Sequence, residues 1–502
     1  MGFTTTASKR LILATAIAGL FGASATPAFA DMETLLDKLH EKGVLSDDDY
    51  QQMRTEARSD RRAEALKSAT DVEKEQKAKS ASTSTLKVPE ALKSMELYGD
   101  LRLRYENRIA RAADDTKTSE ERQRWRYALR LGLRGDVSDD FFYGVRLDTG
   151  TYGRSAWVTM ADDNAATGAP GTSKASQSNK STDAVAVGLA FIGWKPTDWA
   201  QVIAGRQVNP LYTTSMVWDP DITPEGLSEK FTYKLGDNAT LFAVAGQYLY
   251  SQVGKRSGAW TSAKLDGPNP GLGSSQSAIL FAYEIGGAYK FSENTSTKAA
   301  VNLYRYRLTD DETVFNSNFQ GIGGSVADLG IRHLQVVEIP MDVRFPVASL
   351  SGMVFADYAW NTQGNDRADA SATPQIKDQN KALMIGLSLA SSGVPQSANQ
   401  GPALGSSAKK GTWEVRSYYQ RTQQFALDQN MLDSDFFERT NTVGYYIAGG
   451  YSPANGIITT LRYGKAKRLN DAMSTGGFND DSSDVGTINK YSIIQADLTL
   501  RF

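Results

Sequence analysis

Seven arginines recur at strand-like spacing in three successive segments: Arg102 and Arg104, then Arg124, Arg126, Arg130 and Arg134, then Arg146. A guanidinium stays charged at any physiological pH and offers a rigid fork of donors. Placed on one face of a sheet, such a ladder lowers the electrostatic cost for an anion or a carboxylate-bearing solute to pass. Asp100, Glu106 and Asp148 lie among these arginines and offer neutralising partners, since isolated interior charges are costly. The residues alone leave both readings open. A second constellation spans residues 205–229, where Arg206 is followed by Trp218, Asp219, Asp221 and Glu225, punctuated by Pro210, Pro220 and Pro224. The prolines suit an ordered connection rather than a floppy tip. An acidic loop opposite an arginine wall would set a transverse field across a narrow passage. The competing reading is a rigid surface loop.

Other chemistries find little support. The chain has no cysteine and only two histidines, His40 and His333, neither with a recognisable partner motif. No triad, metal site or cofactor motif can be assembled from them, so neither an enzyme nor a metal or cofactor protein is expected. A formal net charge of −2 gives no reason to expect nucleic acid as a partner.

The elements that would carry the arginines are strands. From Met95 onward, segments of about ten residues alternate apolar and polar side chains, as a strand with two different faces requires. Leu97, Gly99, Leu101, Leu103 and Tyr105 oppose Tyr98, Asp100, Arg102, Arg104 and Glu106; Trp125, Tyr127, Leu129, Leu131 and Leu133 oppose the next arginines. Segments of this length match tilted strands crossing a bilayer. Connections alternate between tight ones (136–140, 195–198, 235–238, 291–295, 451–455) and long polar ones (151–183, 251–276, 310–332, 465–490). Trp194, Trp199, Tyr289, Tyr446 and Tyr451 stand at strand ends, where interface girdles need aromatics. The pattern predicts an all-β, transmembrane, antiparallel up-and-down β-barrel of about sixteen strands, with the apolar face toward lipid. Residues 391–410 break the alternation, being long where a short turn is due. The last segment, 491–502, alternates cleanly and ends on Phe502, the expected closing strand and assembly signal.

The start of the chain assigns the compartment. Lys9 and Arg10, the apolar run 11–21 and Ala28-Phe29-Ala30 form a secretory signal over residues 1–30. Met32, Leu35, Leu36 and Leu39 repeat at helical spacing, and a thinner stripe follows from Tyr50, so 31–79 reads as a helical periplasmic segment. That segment could bind peptidoglycan or associate with its counterparts. A Ser/Thr-rich linker covers 80–94, and the barrel covers 95–502.

Signal, helical prelude, arginine-rich first strands, the stretches 205–207 and 218–226, and the terminal Phe502 together resemble the putative porin family of Gram-negative bacteria. The most specific stretch is Trp218-Asp219-Pro220-Asp221-Ile222-Thr223-Pro224-Glu225-Gly226. The resemblance implies an outer-membrane barrel for passive diffusion of small hydrophilic solutes. It also implies that the 205–229 loop folds inward as a constriction, and that the partners include outer-membrane lipids, lipopolysaccharide, the assembly machinery and further copies in a trimer. An anion- or phosphate-selective channel, or a barrel-anchored adhesin or cell-wall tether, are the alternatives.

Overall fold

The computed structural model describes residues 92–112, 119–150, 155–160, 185–251, 278–308, 331, 333–370, 376–391, 408–433, 435–437, 439–475 and 487–502. Contacts divide the chain into Met1–Lys87 and Val88–Phe502, and the description concerns the second unit. The expected export signal, helical segment and most of the linker lie outside the described residues.

Seventeen strands form one sheet: β1 (Glu96–Ala112), β2 (Ser119–Asp136), β3 (Phe141–Thr149), β4 (Val158–Thr159), β5 (Val185–Thr197), β6 (Ala200–Arg206), β7 (Glu225–Leu235), β8 (Ala239–Ser251), β9 (Ala278–Ser292), β10 (Thr295–Leu308), β11 (Gln335–Val347), β12 (Leu350–Asn361), β13 (Lys381–Ser391), β14 (Trp413–Thr422), β15 (Thr442–Ala454), β16 (Ile457–Arg468) and β17 (Ile488–Arg501). A short helix, α1 (Gly364–Asp369), follows β12. Strand β4 is only two residues long and pairs with β2 where β3 has ended, so sixteen strands make the wall. Each wall strand runs antiparallel to its sequence neighbour, and β1 pairs with both β2 and β17. The sheet therefore closes without an edge, the condition for strands to lie in lipid with every backbone group paired.

The alternation read from the sequence decides the two faces. On β1, Arg102, Arg104, Glu106 and Arg108 are buried, whereas Leu101 and Leu103 are about two-fifths exposed. Leu129, Leu131, Val354, Ile385, Leu387, Ile447, Leu461, Leu498 and Leu500 extend that outward apolar belt around the wall. Trp194, Trp199, Tyr289 and Tyr451 are exposed at its margin, as expected. Tyr446 is a correction: it faces inward, 6% exposed, and its ring stacks on Tyr418 at 4.5 Å. The period of two sends its neighbour Tyr445 outward instead.

Connections at one end are tight, and β13 to β14 is the long one there, as the break at 391–410 implied. Its last residues are tied to the β15–β16 turn through Gly411 N to Ser452 O at 2.8 Å and Gly456 N to Ala408 O at 2.8 Å. The long connections 151–183, 251–276 and 310–332 lie mostly outside the described residues.

The seam runs to the last residue. Gly99 N donates to Phe502 O at 2.9 Å, and Phe502 N to Gly99 O at 3.2 Å. A Cβ at Gly99 would collide with the Arg130 carbonyl oxygen and stand 2.7 Å from the Phe502 ring, so the absent side chain lets both the neighbouring strand and the ring close over the seam. Gly99→Ala should destabilise the barrel by about 1–3 kcal/mol through overpacking. Gly287→Ala, whose Cβ would meet Leu241 at an ordinary 3.6 Å, should stay within about 0.5 kcal/mol. Urea unfolding followed by tryptophan fluorescence compares them; equal effects would show that the ring does not need the gap.

Candidate functional site

The inner face carries the arginines, and each of the seven has a carboxylate partner. Arg102 Nη2 donates to Asp100 at 2.9 Å, and Arg124 Nε to Glu106 at 2.7 Å. Arg126 lies 3.8 Å from Glu106, and Arg130 3.5 Å from Asp100. Arg146 forks onto Asp148 with two bonds of 2.7 Å. Arg104, fully buried, reaches Asp497 at 2.8 Å and Asp435 at 2.8 Å. Arg134 differs: it pairs with Glu96 at 2.7 Å near the turn end, with both side chains more than half exposed. Asp100, Glu106 and Asp148, the candidate neutralising acids, are thus partners in fact. The pairing is not one to one, however. Arg102 and Arg130 share the Asp100 carboxylate, at 2.6 and 3.5 Å, and Arg501 is its register partner across the seam. Arg108 and Arg462 also face inward, Arg462 pairing with Asp497.

The connection from β6 to β7 folds into the barrel. Its neck is closed by Arg206 and Glu225, register partners that form an ion pair at the strand ends and do not reach the lumen's centre. Beyond the neck, Tyr212, Thr213 and Thr214 are buried against the wall of β9 to β12. Tyr212 N donates to Glu284 at 2.5 Å, Thr213 Oγ1 to Glu338 at 2.7 Å, and the hydroxyls of Tyr212 and Thr214 to Asp342 and Asp357. Asn302 Nδ2 clamps the Tyr212 carbonyl at 2.9 Å. Trp218 is 2% exposed; its ring lies 6.3 Å from that of Tyr248 and 6.2 Å from that of Tyr304, and its Nε1 donates to Ile222 O at 3.0 Å. The loop then returns toward β2, placing Asp221 4.0 Å from Arg130. Asp219 is buried, with its own N–H on Met431 O at 2.8 Å.

Met431 belongs to a second inward segment, residues 423–441 between β14 and β15, which sequence reasoning missed. Leu427, Leu432, Phe436 and Phe437 are buried in one cluster with Trp218, and Asp435 reaches across to Arg104. The signal was present as apolar pairs, Ala426-Leu427, Met431-Leu432 and Phe436-Phe437, in a connection otherwise rich in Asp and Asn. Burial alone would raise the Asp435 carboxyl, but the Arg104 and Arg462 guanidinia outweigh it and hold the group below its ordinary range. Asp433 has no such neighbour. Burial, with Asp219 and Asp435 beside it, pushes its carboxyl well above the usual range.

A third inward piece is Ser155–Met160, expected as part of an outer loop. Trp157 is buried, and the Arg104 guanidinium lies 4.1 Å from its ring centroid. Also missed were the wall carboxylates Glu284, Glu338, Asp342 and Asp357, all at inward positions of the predicted alternation. They lie on strands opposite the arginines. The His333 carbonyl accepts a hydrogen bond from Asn361 Nδ2 at 3.0 Å. No group of three or more His, Cys, Asp or Glu among the described residues could hold a metal ion.

A closed antiparallel barrel with an apolar outer belt, an aromatic margin and a charged interior partly filled by loops defines an outer-membrane channel protein. Residues 111–319 match the family model described as putative porin, which covers β2 to β10 and the inward loop. That stretch is similar to putative porins, and the barrel that contains it has the build of an outer-membrane channel. A comparison with curated proteins finds no match. Similar solved structures include the outer membrane channel DcaP of Acinetobacter baumannii, at 13% identity over 82% of this chain and 97% of that one, TM-score 0.40. Another is OmpT of Vibrio cholerae, in vitro folded and in trimer form, at 12% identity over 82% of this chain and 99% of that one, TM-score 0.38.

Arg104→Met would leave Asp497 short of a partner and Asp435 without its shortest ion pair in a buried site. The expected cost is about 3–5 kcal/mol. Arg134→Met removes a solvent-screened pair and should cost far less. Thermal unfolding of both variants decides; similar losses would mean that burial does not set the worth of these pairs.

Proposed function

We propose that this porin passes small hydrophilic solutes by passive diffusion through a constriction between the 207–224 loop and the arginine wall. The observation that carries the reading is Asp221 facing Arg130 at 4.0 Å, at the far side of a loop anchored to the opposite wall. Here Arg102, Arg124, Arg126, Arg130 and Arg146 bias charge, while Asp219, Asp221 and Trp218 shape the loop. Arg206 and Glu225 act at its neck rather than at the narrowest point. No enzymatic step is assigned to the described residues. An anion-selective channel is the second reading, favoured by the three guanidinia around Asp100.

Purified protein in planar bilayers should show stepwise conductance, and a folded barrel without steps would refute the pore. Reversal potentials in a salt gradient should shift toward cation preference in Arg124→Ala with Arg126→Ala; unchanged selectivity would make those arginines structural. Thr213→Val with Thr214→Val removes two anchors of the loop and should raise single-channel conductance. Unchanged conductance with an intact fold would remove the loop from the constriction.

The same reading gives the chain an export signal over 1–30, a periplasmic segment over 31–79 that either binds peptidoglycan or associates with its counterparts, a linker over 80–94 and a barrel from 95. It also gives a trimeric assembly, delivered by outer-membrane assembly machinery that reads Phe502. These points rest on the residue patterns and on the family resemblance.

A further inference from the structure

The outer face is not apolar to its upper limit, and the exception follows the hydrogen-bond register. Arg421 on β14 is partnered with Val443 on β15, Val443 with Lys467 on β16, Lys467 with Lys490 on β17, and Lys490 with Arg111 on β1. One row across five strands therefore carries four cations. All four share the side of the sheet that bears Val415, Tyr419, Tyr445, Leu461 and Ile494, each about two-fifths or more exposed. The row one alternation lower runs Tyr419, Tyr445, Lys465 and Ser492. Both rows lie at the end of the barrel that carries the long connections, within a few residues of Thr422, Arg468, Ile488 and Ala112.

Among the described residues of these strands the outward charge there is one-sided. Arg111, Arg421, Lys465, Lys467 and Lys490 make no ion pair with any described residue, unlike the interior arginines. Among the described residues of β10 to β17 and β1, every Asp and Glu is on the inner side of the strands. An outward cation row above a tyrosine row, at the depth where headgroups meet the belt, fits phosphate groups of the adjacent leaflet. A second copy of the chain fits less well. The outward carboxylates of β2 and β7 are already engaged: Glu225 pairs with Arg206, Glu229 accepts from Gln247 at 3.2 Å, and Glu121 accepts from Gln123 at 3.3 Å.

We propose that Arg111, Arg421, Lys465, Lys467 and Lys490 form a docking row for the phosphorylated headgroup of lipopolysaccharide. The proposal rests on the outer-membrane placement above and adds a lipid site on five adjacent strands of the sixteen. It is tested on the full chain folded in detergent, with bis-phosphorylated lipid A and the same lipid A stripped of phosphate as probes, and binding followed by native mass spectrometry. Wild type should bind the phosphorylated lipid at least about tenfold more tightly than the stripped one, given the attraction of each surface cation to anionic lipid. Arg421→Gln, Lys467→Gln and Lys490→Gln together should abolish that preference. Lys195→Gln, Lys234→Gln and Lys290→Gln, near the tight turns, should keep it. A folded triple variant with wild-type preference would overturn the proposal. So would unchanged lipid binding with a change in assembly mass, which would make the row a contact between copies. Should the triple variant fail to fold, equal affinity of wild type for the two lipids would overturn it alone. Stepwise conductance of the triple variant reports separately on the porin reading.

Discussion

Backbone pairing in a medium without water is the constraint on which the rest depends. Every N–H and C=O in the hydrocarbon layer needs a partner within the protein, and β1 meeting β17 supplies the final ones. Once the sheet is closed, alternation leaves no freedom: whatever occupies the odd positions of β1 faces lipid, and whatever occupies the even ones faces inward. Leu101 and Leu103 can lie outside only because Arg102 and Arg104 lie inside. The concentration of charge in the interior is therefore first a consequence of closure, and only second an opportunity for sorting solutes.

That charge creates its own demand. Arg104, Glu106, Glu338 and Asp357 are fully buried, and a buried charge left without partners would cost several kcal/mol. Register neighbours satisfy part of the need, as Arg124 does for Glu106. The remainder comes from loops folded inward: Asp435 for Arg104, Thr213 for Glu338, Thr214 for Asp357. The 207–224 and 423–441 segments thus occupy the lumen because they complete the wall electrostatically, and they bring an apolar cluster around Trp218 that locks them against each other.

Local pattern made most of the wall legible. The period of two over 97–106 and 124–135 gave both faces and the positions of the arginines, and 491–502 gave the closing strand. The prolines around Trp218 marked an ordered loop. What was not legible depended on contacts far apart in the chain. Nothing within 423–441 shows that Asp435 meets Arg104, because the two are brought together only by closure. Tyr446 illustrates a narrower failure: two tyrosines in succession at 445 and 446 must face opposite ways, and choosing the outward one requires the register of the whole strand.

The two walls also differ in what their charges can do. On the β9–β12 side, Glu338, Asp342 and Asp357 accept hydrogen bonds from Thr213, Tyr212 and Thr214, so one oxygen of each is committed to holding a loop. On the β1–β2 side, Arg102, Arg130 and Arg501 converge on the single carboxylate of Asp100, and Asp221 approaches Arg130 only to 4.0 Å. Arg102 Nη1 has no acceptor there among the described residues. A solute crossing between the walls would meet acids engaged by a loop on one side and an arginine with a spare donor on the other. The same asymmetry holds in reverse between the inside and the outside of the barrel. Interior arginines are matched by carboxylates drawn from strands and loops, whereas the outward cations of β14, β16, β17 and β1 have none among the described residues.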